Sequence, residues 1–136
     1  MSNVRTVQAI YEAFGREDID GILERLADDV RWEEHPTGNT AQDQDVPYMR
    51  QRNGREAVAG FFHDIAEDFA LVSFEPHTFL EGDGHVAVVI DVETKITSTG
   101  KQLRDEEIRL WAFDSDGRIT AYRHFLDTAK AIDAHS

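Results

Sequence analysis

Between Ala70 and Leu126 the chain reads as four strand-like segments, Ala70 to Glu81, His85 to Thr97, Lys101 to Phe113 and Arg118 to Leu126. They are divided by Gly82-Asp83-Gly84, Thr99-Gly100 and Asp114-Ser115-Asp116-Gly117. Each divider is a turn signal, and strands joined by turns this short pair with their neighbours as an antiparallel meander. Such a sheet must have its apolar face covered. From His85 onward Val86, Val88, Ile90, Val92, Thr94 and Ile96 alternate with Asp91, Glu93 and Lys95, so the even positions are expected to be buried. The following segment places Ile108, Leu110 and Ala112 on one face and Trp111 and Phe113 on the other. That is the pattern of a strand covered on both sides, once by helices and once by another subunit.

The helices lie in the first half. Val4, Val7, Ile10, Tyr11 and Phe14 recur at three-to-four spacing and end at Gly15; Ile19, Ile22, Leu23 and Leu26 do so again behind Asp18, an N-cap residue. Asp29 to Glu34 reads as a strand. After Gly54 a third helix carries Val58, Phe61, Phe62, Ile65 and Phe69 on one side. Between them, residues 33–53 are polar and hold Pro36, Gly38 and Pro47, a connection long enough to be expected as a lid. Helices segregated from a meander predict a single α+β domain over residues 1–136, three N-terminal helices packed on an antiparallel sheet.

Composition removes several alternatives. With no cysteine there is no thiol nucleophile, disulfide or cysteine-ligated metal. Lys and Arg (14) are outnumbered by Asp and Glu (27), and a net charge of −13 opposes binding to phosphate backbones, so nucleic acid is not an expected partner. No apolar run reaches the roughly 20 residues that span a bilayer, and the start of the chain lacks the apolar core of a secretory signal. No membrane association and a cytoplasmic location are expected. The six histidines form neither H-x-H nor H-E-x-x-H, and there is no Gly-rich phosphate loop, so neither a metal nor another cofactor is expected.

Three stretches carry a family resemblance: Glu17-Asp18-Ile19-Asp20-Gly21-Ile22 through Leu26-Ala27-Asp28-Asp29-Val30 to Trp32; Val46-Pro47-Tyr48 followed by Asn53-Gly54-Arg55-Glu56-Ala57-Val58; and Asp116-Gly117-Arg118-Ile119 ahead of Tyr122-Arg123-His124-Phe125-Leu126-Asp127-Thr128. In order and spacing they resemble the nuclear transport factor 2-like superfamily, in its SnoaL-like and ketosteroid isomerase-like branches. The resemblance implies a cone: the antiparallel sheet is curved and encloses a small-molecule pocket, whose open end admits a small, often apolar ligand. It leaves the reaction open, because this fold hosts isomerases, cyclases, dehydratases, epoxide hydrolases and plain binding modules.

Four residues are candidates for chemistry. Arg109 shares a strand face with Trp111 and Phe113, and a buried guanidinium needs a partner, for which Glu107 stands two residues away. The resemblance places Arg109 where ketosteroid isomerases keep the carboxylic acid of their oxyanion hole. It places His124 near the catalytic aspartate of epoxide hydrolases, and an imidazole is a suitable proton carrier near neutrality. The isomerases' general base corresponds to His35, or to Glu34 one position earlier, while their first-helix tyrosine aligns with Ile10, leaving Tyr11 one place off. Trp32, Tyr48, Phe62, Val92, Ile96, Glu107, Trp111 and Tyr122 are expected to line the pocket. Two functions fit: a cofactor-independent cyclase, isomerase or hydrolase of a small hydrophobic carbonyl or epoxide compound, or a non-catalytic module in which Arg109 holds a ligand carboxylate. A homodimer through the convex face of the sheet is expected in either case.

Overall fold

In the computed structural model, which describes residues 2–136, the side chain of Ser2 accepts the Arg5 N–H (3.2 Å) and so starts α1 (Asn3–Gly15), and Asp18 accepts the Gly21 N–H (3.0 Å) to start α2 (Ile19–Leu23). These side chains satisfy amides that a helix start leaves unpaired. Strand β1 (Leu26–Trp32) follows, then a short helix α3 (Thr40–Asp43), a 3-10 turn at Pro47–Met49 and a two-residue strand β2 (Arg52–Asn53). Helix α4 (Arg55–Asp68) buries Val58, Phe61 and Phe62, the face its sequence predicts. The meander is present as β3 (Phe69–Gly82), β4 (His85–Ile96), β5 (Gln102–Phe113) and β6 (Ile119–Phe125). Along β4 every even residue from Val86 to Ile96 is buried.

The sheet departs from expectation in one pairing. Its order is β2-β1-β6-β5-β4-β3, and β1 runs parallel to β6, with Arg31 opposite Ala121 and Trp32 opposite Tyr122. The sheet is therefore mixed and not wholly antiparallel. Turn residues dictate hairpins between consecutive strands, but β1 and β6 are separated in the chain by all the other strands of the sheet, and no local signal specifies their direction. The three expected helices are present in the expected order, two before β1 and α4 after it, but they are not the whole set: the short α3 lies between β1 and α4, and an unforeseen helix α5 (Thr128–Ala134), capped by Asp127, follows the last strand.

Residues 33–53, expected to form a lid, pack as a wall. Ala41, Val46, Tyr48 and Met49 are buried, and the Gln42 side-chain amide donates to the carbonyls of both Glu33 and Met49 (2.8 Å each). Among the described residues no helix is long and apolar enough to cross a membrane.

Candidate active site

The inner faces of β4, β5 and β6 meet α1 and α4 around an apolar cavity. Trp32, Tyr48, Phe62, Val92, Trp111 and Tyr122 line it, together with Glu107, Arg109 and His124. The cavity is about 60 Å³, room for on the order of five waters. The cavity therefore suits a small molecule. Its polar groups arrive through strand register: Val88, Arg109 and His124 stand directly opposite one another on β4, β5 and β6, and so point to the same face.

Arg109 donates through Nη2 to Glu107 Oε1 (2.9 Å), and its guanidinium lies over the Phe74 ring, 5.1 Å from the centroid. Burial opposes its charge, yet the surrounding oxygens of Tyr122 and Glu107 hold it protonated more firmly than usual. Nearby, Trp111 Nε1 donates to the Tyr11 hydroxyl (3.2 Å). Burial pushes the Tyr11 phenol up to about 12 and raises Tyr48 and Tyr122 as well. All three phenols stay neutral and able to donate. The cavity thus offers a fixed cation, already matched by a carboxylate, and several neutral O–H donors.

Behind His124 lies the least exposed acid described in the chain. Glu33 has no solvent exposure, and its φ of 59° places a non-glycine residue in the left-handed region. Its Oε1 accepts the His124 backbone N–H (3.0 Å) and the His35 ring at Nε2 (3.0 Å). Its Oε2 forms an ion-pair contact with His124 Nδ1, close but lacking the alignment of a directed hydrogen bond. Burial alone would raise the Glu33 pKa; the His124 ring close beside it, with the hydrogen bonds from the His124 amide and from His35, outweighs it and holds the carboxyl below its ordinary range. An ionised Glu33 fixes the proton of His124 on Nδ1. No hydrogen bond to Nε2 is formed among the described residues, and the ring lines the cavity. A carboxylate behind an imidazole behind an open cavity is the arrangement that orients a histidine base.

Comparison with known proteins agrees with this architecture: residues 7–122 match the model of the SnoaL-like domain. The chain belongs to the SnoaL-like domain family. A structure of an NTF2-like protein of unknown function from Burkholderia pseudomallei K96243 shares 29% identity over 98% of each chain, with a TM-score of 0.78. TerC, co-crystallised with polyporic acid, shares 22% identity over 97% of this chain and 96% of its own, with a TM-score of 0.79. A candidate polyketide cyclase from Xanthomonas campestris pv. campestris shares 23% over 99% and 100%, with a TM-score of 0.72. Among curated proteins no match was found.

Within this SnoaL-like domain the predicted residues divide. Arg109, His124 and Glu107 converge on the cavity with the aromatic wall. Ile96 does not line it; it packs with Leu103, Ala134 and Phe69 in a separate cluster, because α5 covers that end of β4. Glu34 points away from the cavity and pairs with Arg31 (3.5 Å). His35 is buried behind Glu33 and reaches the cavity only through it. Sequence reasoning passed over Glu33, Tyr11 and Phe74. For Tyr11 a signal existed, since helical spacing puts it one position from Ile10 on the same apolar side.

Metal ligation has one geometric candidate among the described residues: His77, Asp91 and Glu106, whose ligand atoms lie within 4.8 Å of one another. All three are exposed and apart from the cavity. The Glu33 cluster is not such a group.

Proposed function

We propose that this SnoaL-like domain is a cofactor-independent enzyme of the cyclase, isomerase or hydrolase kind, acting on a small hydrophobic carbonyl or epoxide compound in the cytoplasm as a homodimer. The observation that carries this reading is His124, which lines an apolar cavity on the face it shares with Arg109 and has Nδ1 against Glu33, leaving Nε2 as the nitrogen available to a ligand. His124 Nε2 takes a proton from a carbon next to the carbonyl, and its Nδ1–H stays on Glu33, which balances the imidazolium that forms. The developing oxyanion is met by Arg109 and the neutral phenols, in surroundings where such donors count for more than in water.

Charge matching favours this over the non-catalytic module. Arg109 is already paired with Glu107 at 2.9 Å, so a ligand carboxylate would have to displace Glu107 or be buried beside it. A neutral ligand whose charge develops only during reaction avoids that cost.

The test uses 2-tetralone in D2O, with deuterium at the α-carbon followed by NMR, and styrene oxide, with diol formation followed in parallel. The protein should accelerate one of the two, and His124→Ala should lower that rate about 10²- to 10⁴-fold, the usual span of a general base. If both compounds raise the melting temperature yet are recovered unaltered, the protein is a binding module. Full activity in His124→Ala would eliminate the mechanism.

A further inference from the structure

We infer that His35 is a positioning residue for His124, acting through Glu33. This rests on the reading of His124 as the base. The observation is a line of three side chains, His124, Glu33 and His35, whose two imidazoles stand on opposite oxygens of one carboxylate. The side chains of Glu33, His124 and His35 are 0%, 3% and 4% exposed.

A carboxylate can pivot about its last bond, and only one orientation puts Oε2 on His124 Nδ1. Two donors stop the pivot by holding Oε1: the His124 backbone N–H, fixed by the sheet, and His35 Nε2. With Glu33 ionised, His35 must carry its proton on Nε2. The backbone is built for this hold. The left-handed φ of Glu33 reverses the strand alternation, turning Glu33 inward, Glu34 outward and His35 back toward Glu33. The corner is pinned by Glu33 N–H donating to the Tyr122 carbonyl (2.7 Å) and by Gln42 donating to the Glu33 carbonyl (2.8 Å). Strained backbone persists where its surroundings over-determine it, and here the strain delivers a second histidine to the carboxylate. His35 itself is set by an edge contact with Phe125, ring centroids 6.1 Å apart.

The consequence is tautomeric. With Oε1 held, His124 keeps its proton on Nδ1 and a bare Nε2 in the cavity; with Oε1 released, the carboxylate turns and the proton can occupy Nε2, where the ring cannot act as a base.

Protein with ¹⁵N-labelled histidine, free of any ligand, reads this directly. In the unaltered protein His35 should show Nε2 protonated and His124 should show Nδ1 protonated. A bare Nε2 on His35 overturns the proposal without any substitution. His35→Phe, which keeps the ring contact but loses the donor, should lower the Nδ1–H to Nε2–H ratio of His124 about tenfold, the weight of one hydrogen bond. His35→Gln, which returns an N–H donor, should restore it. In folded protein, a His35→Phe ratio equal to the unaltered one, or a His35→Gln ratio as low as that of His35→Phe, overturns it. Where the unaltered protein turns over 2-tetralone, its rate should follow the ratio across the variants. Failure of all turnover with the ratios as expected rejects His124 as base and leaves the positioning intact.

Discussion

A carboxylate without solvent exposure keeps its charge only where donors replace the water it has lost. Glu33 has the His124 ring, the His124 amide and the His35 ring. Its pKa is held below the ordinary 4.5 in the folded protein, so on acidification the unfolded chain binds that proton first. Its contribution to stability is complete above about pH 4.5 and is lost as pH falls toward the folded value. Urea midpoints measured from pH 6 down to pH 3.5 should therefore fall more steeply for the unaltered protein than for Glu33→Gln, and parallel curves would show that Glu33 is not ionised. The same variant should lower 2-tetralone deuteration about a hundredfold or more, because the two donors at Oε1 claim the amide oxygen and turn its NH2 toward His124 Nδ1, which then cannot carry the proton. At this scale the sequence was readable wherever strand alternation ran unbroken. Arg109 and His124 sit inside such runs, and their facing follows from counting by two. Glu33 was not readable. Trp32 faces inward, so alternation sends Glu33 outward and Glu34 inward, and one left-handed residue reverses both. It also stands in an acidic pair in a chain with 27 acidic residues, where another carboxylate attracts no notice.

Elements decide which end of the cavity is closed. Helix α5 is seven residues long and would be marginal alone; its place is set by contacts with the sheet and α4. Thr99 donates to the Ala134 carbonyl (2.6 Å), Lys101 to the Asp133 carbonyl (3.1 Å), and the His135 ring meets Asp68 at Nε2 (2.9 Å). Tyr48, a cavity residue, packs against both His135 and His124 with ring centroids 5.4 and 6.0 Å away. Burial opposes the His135 charge, but the hydrogen bond to Asp68, the Ala131 carbonyl and the Asp68 charge together outweigh it and raise its pKa above 6.5. A raised histidine pKa gives stability that is full below 6.5 and is lost as pH rises through the folded value. Amide exchange of α5, corrected for intrinsic rates, should accelerate more from pH 6 to pH 9 than that of β4, and Asp68→Asn should remove the difference. Equal acceleration in both elements would mean that His135 does not hold the helix. The meander was legible because each of its turns is written in two to four residues. The parallel pairing of β1 with β6 was not, because it joins residues some 90 positions apart, and α5 was missed because its few apolar residues acquire a face only against the sheet.

For the whole molecule, the remaining question is what covers the back of the sheet. The inner face of β5 is occupied, with Trp111 and Glu107 buried, while on the outer face Ile108 is 43% exposed. Strand register extends this surface in two rows, Leu80, Ala87 and Leu110 in one and Val89, Ile108 and Phe125 in the other. Leu80 and Phe125 are 59% and 43% exposed. An apolar sheet face crossing several strands marks an interaction surface more than a solvated one. A second copy of the chain is the proposed occupant, and the electrostatics make that testable apart from the apolar contact. Each chain carries −13, so pairing two brings a total of −26 together, and the repulsion is screened over about 10 Å at 0.1 M salt but over about 30 Å at 0.01 M. Sedimentation should accordingly give twice 15.5 kDa at 0.15 M salt, with dissociation increasing at 0.01 M. Ile108→Glu with Phe125→Glu should give a folded monomer at both salts, since a stable interface must bury on the order of 1,200–2,000 Å² in total and these changes place charge at its centre. A monomer at micromolar concentration and 0.15 M salt in the unaltered protein would end the dimer proposal. If the double variant remained dimeric, the contact would lie on another surface.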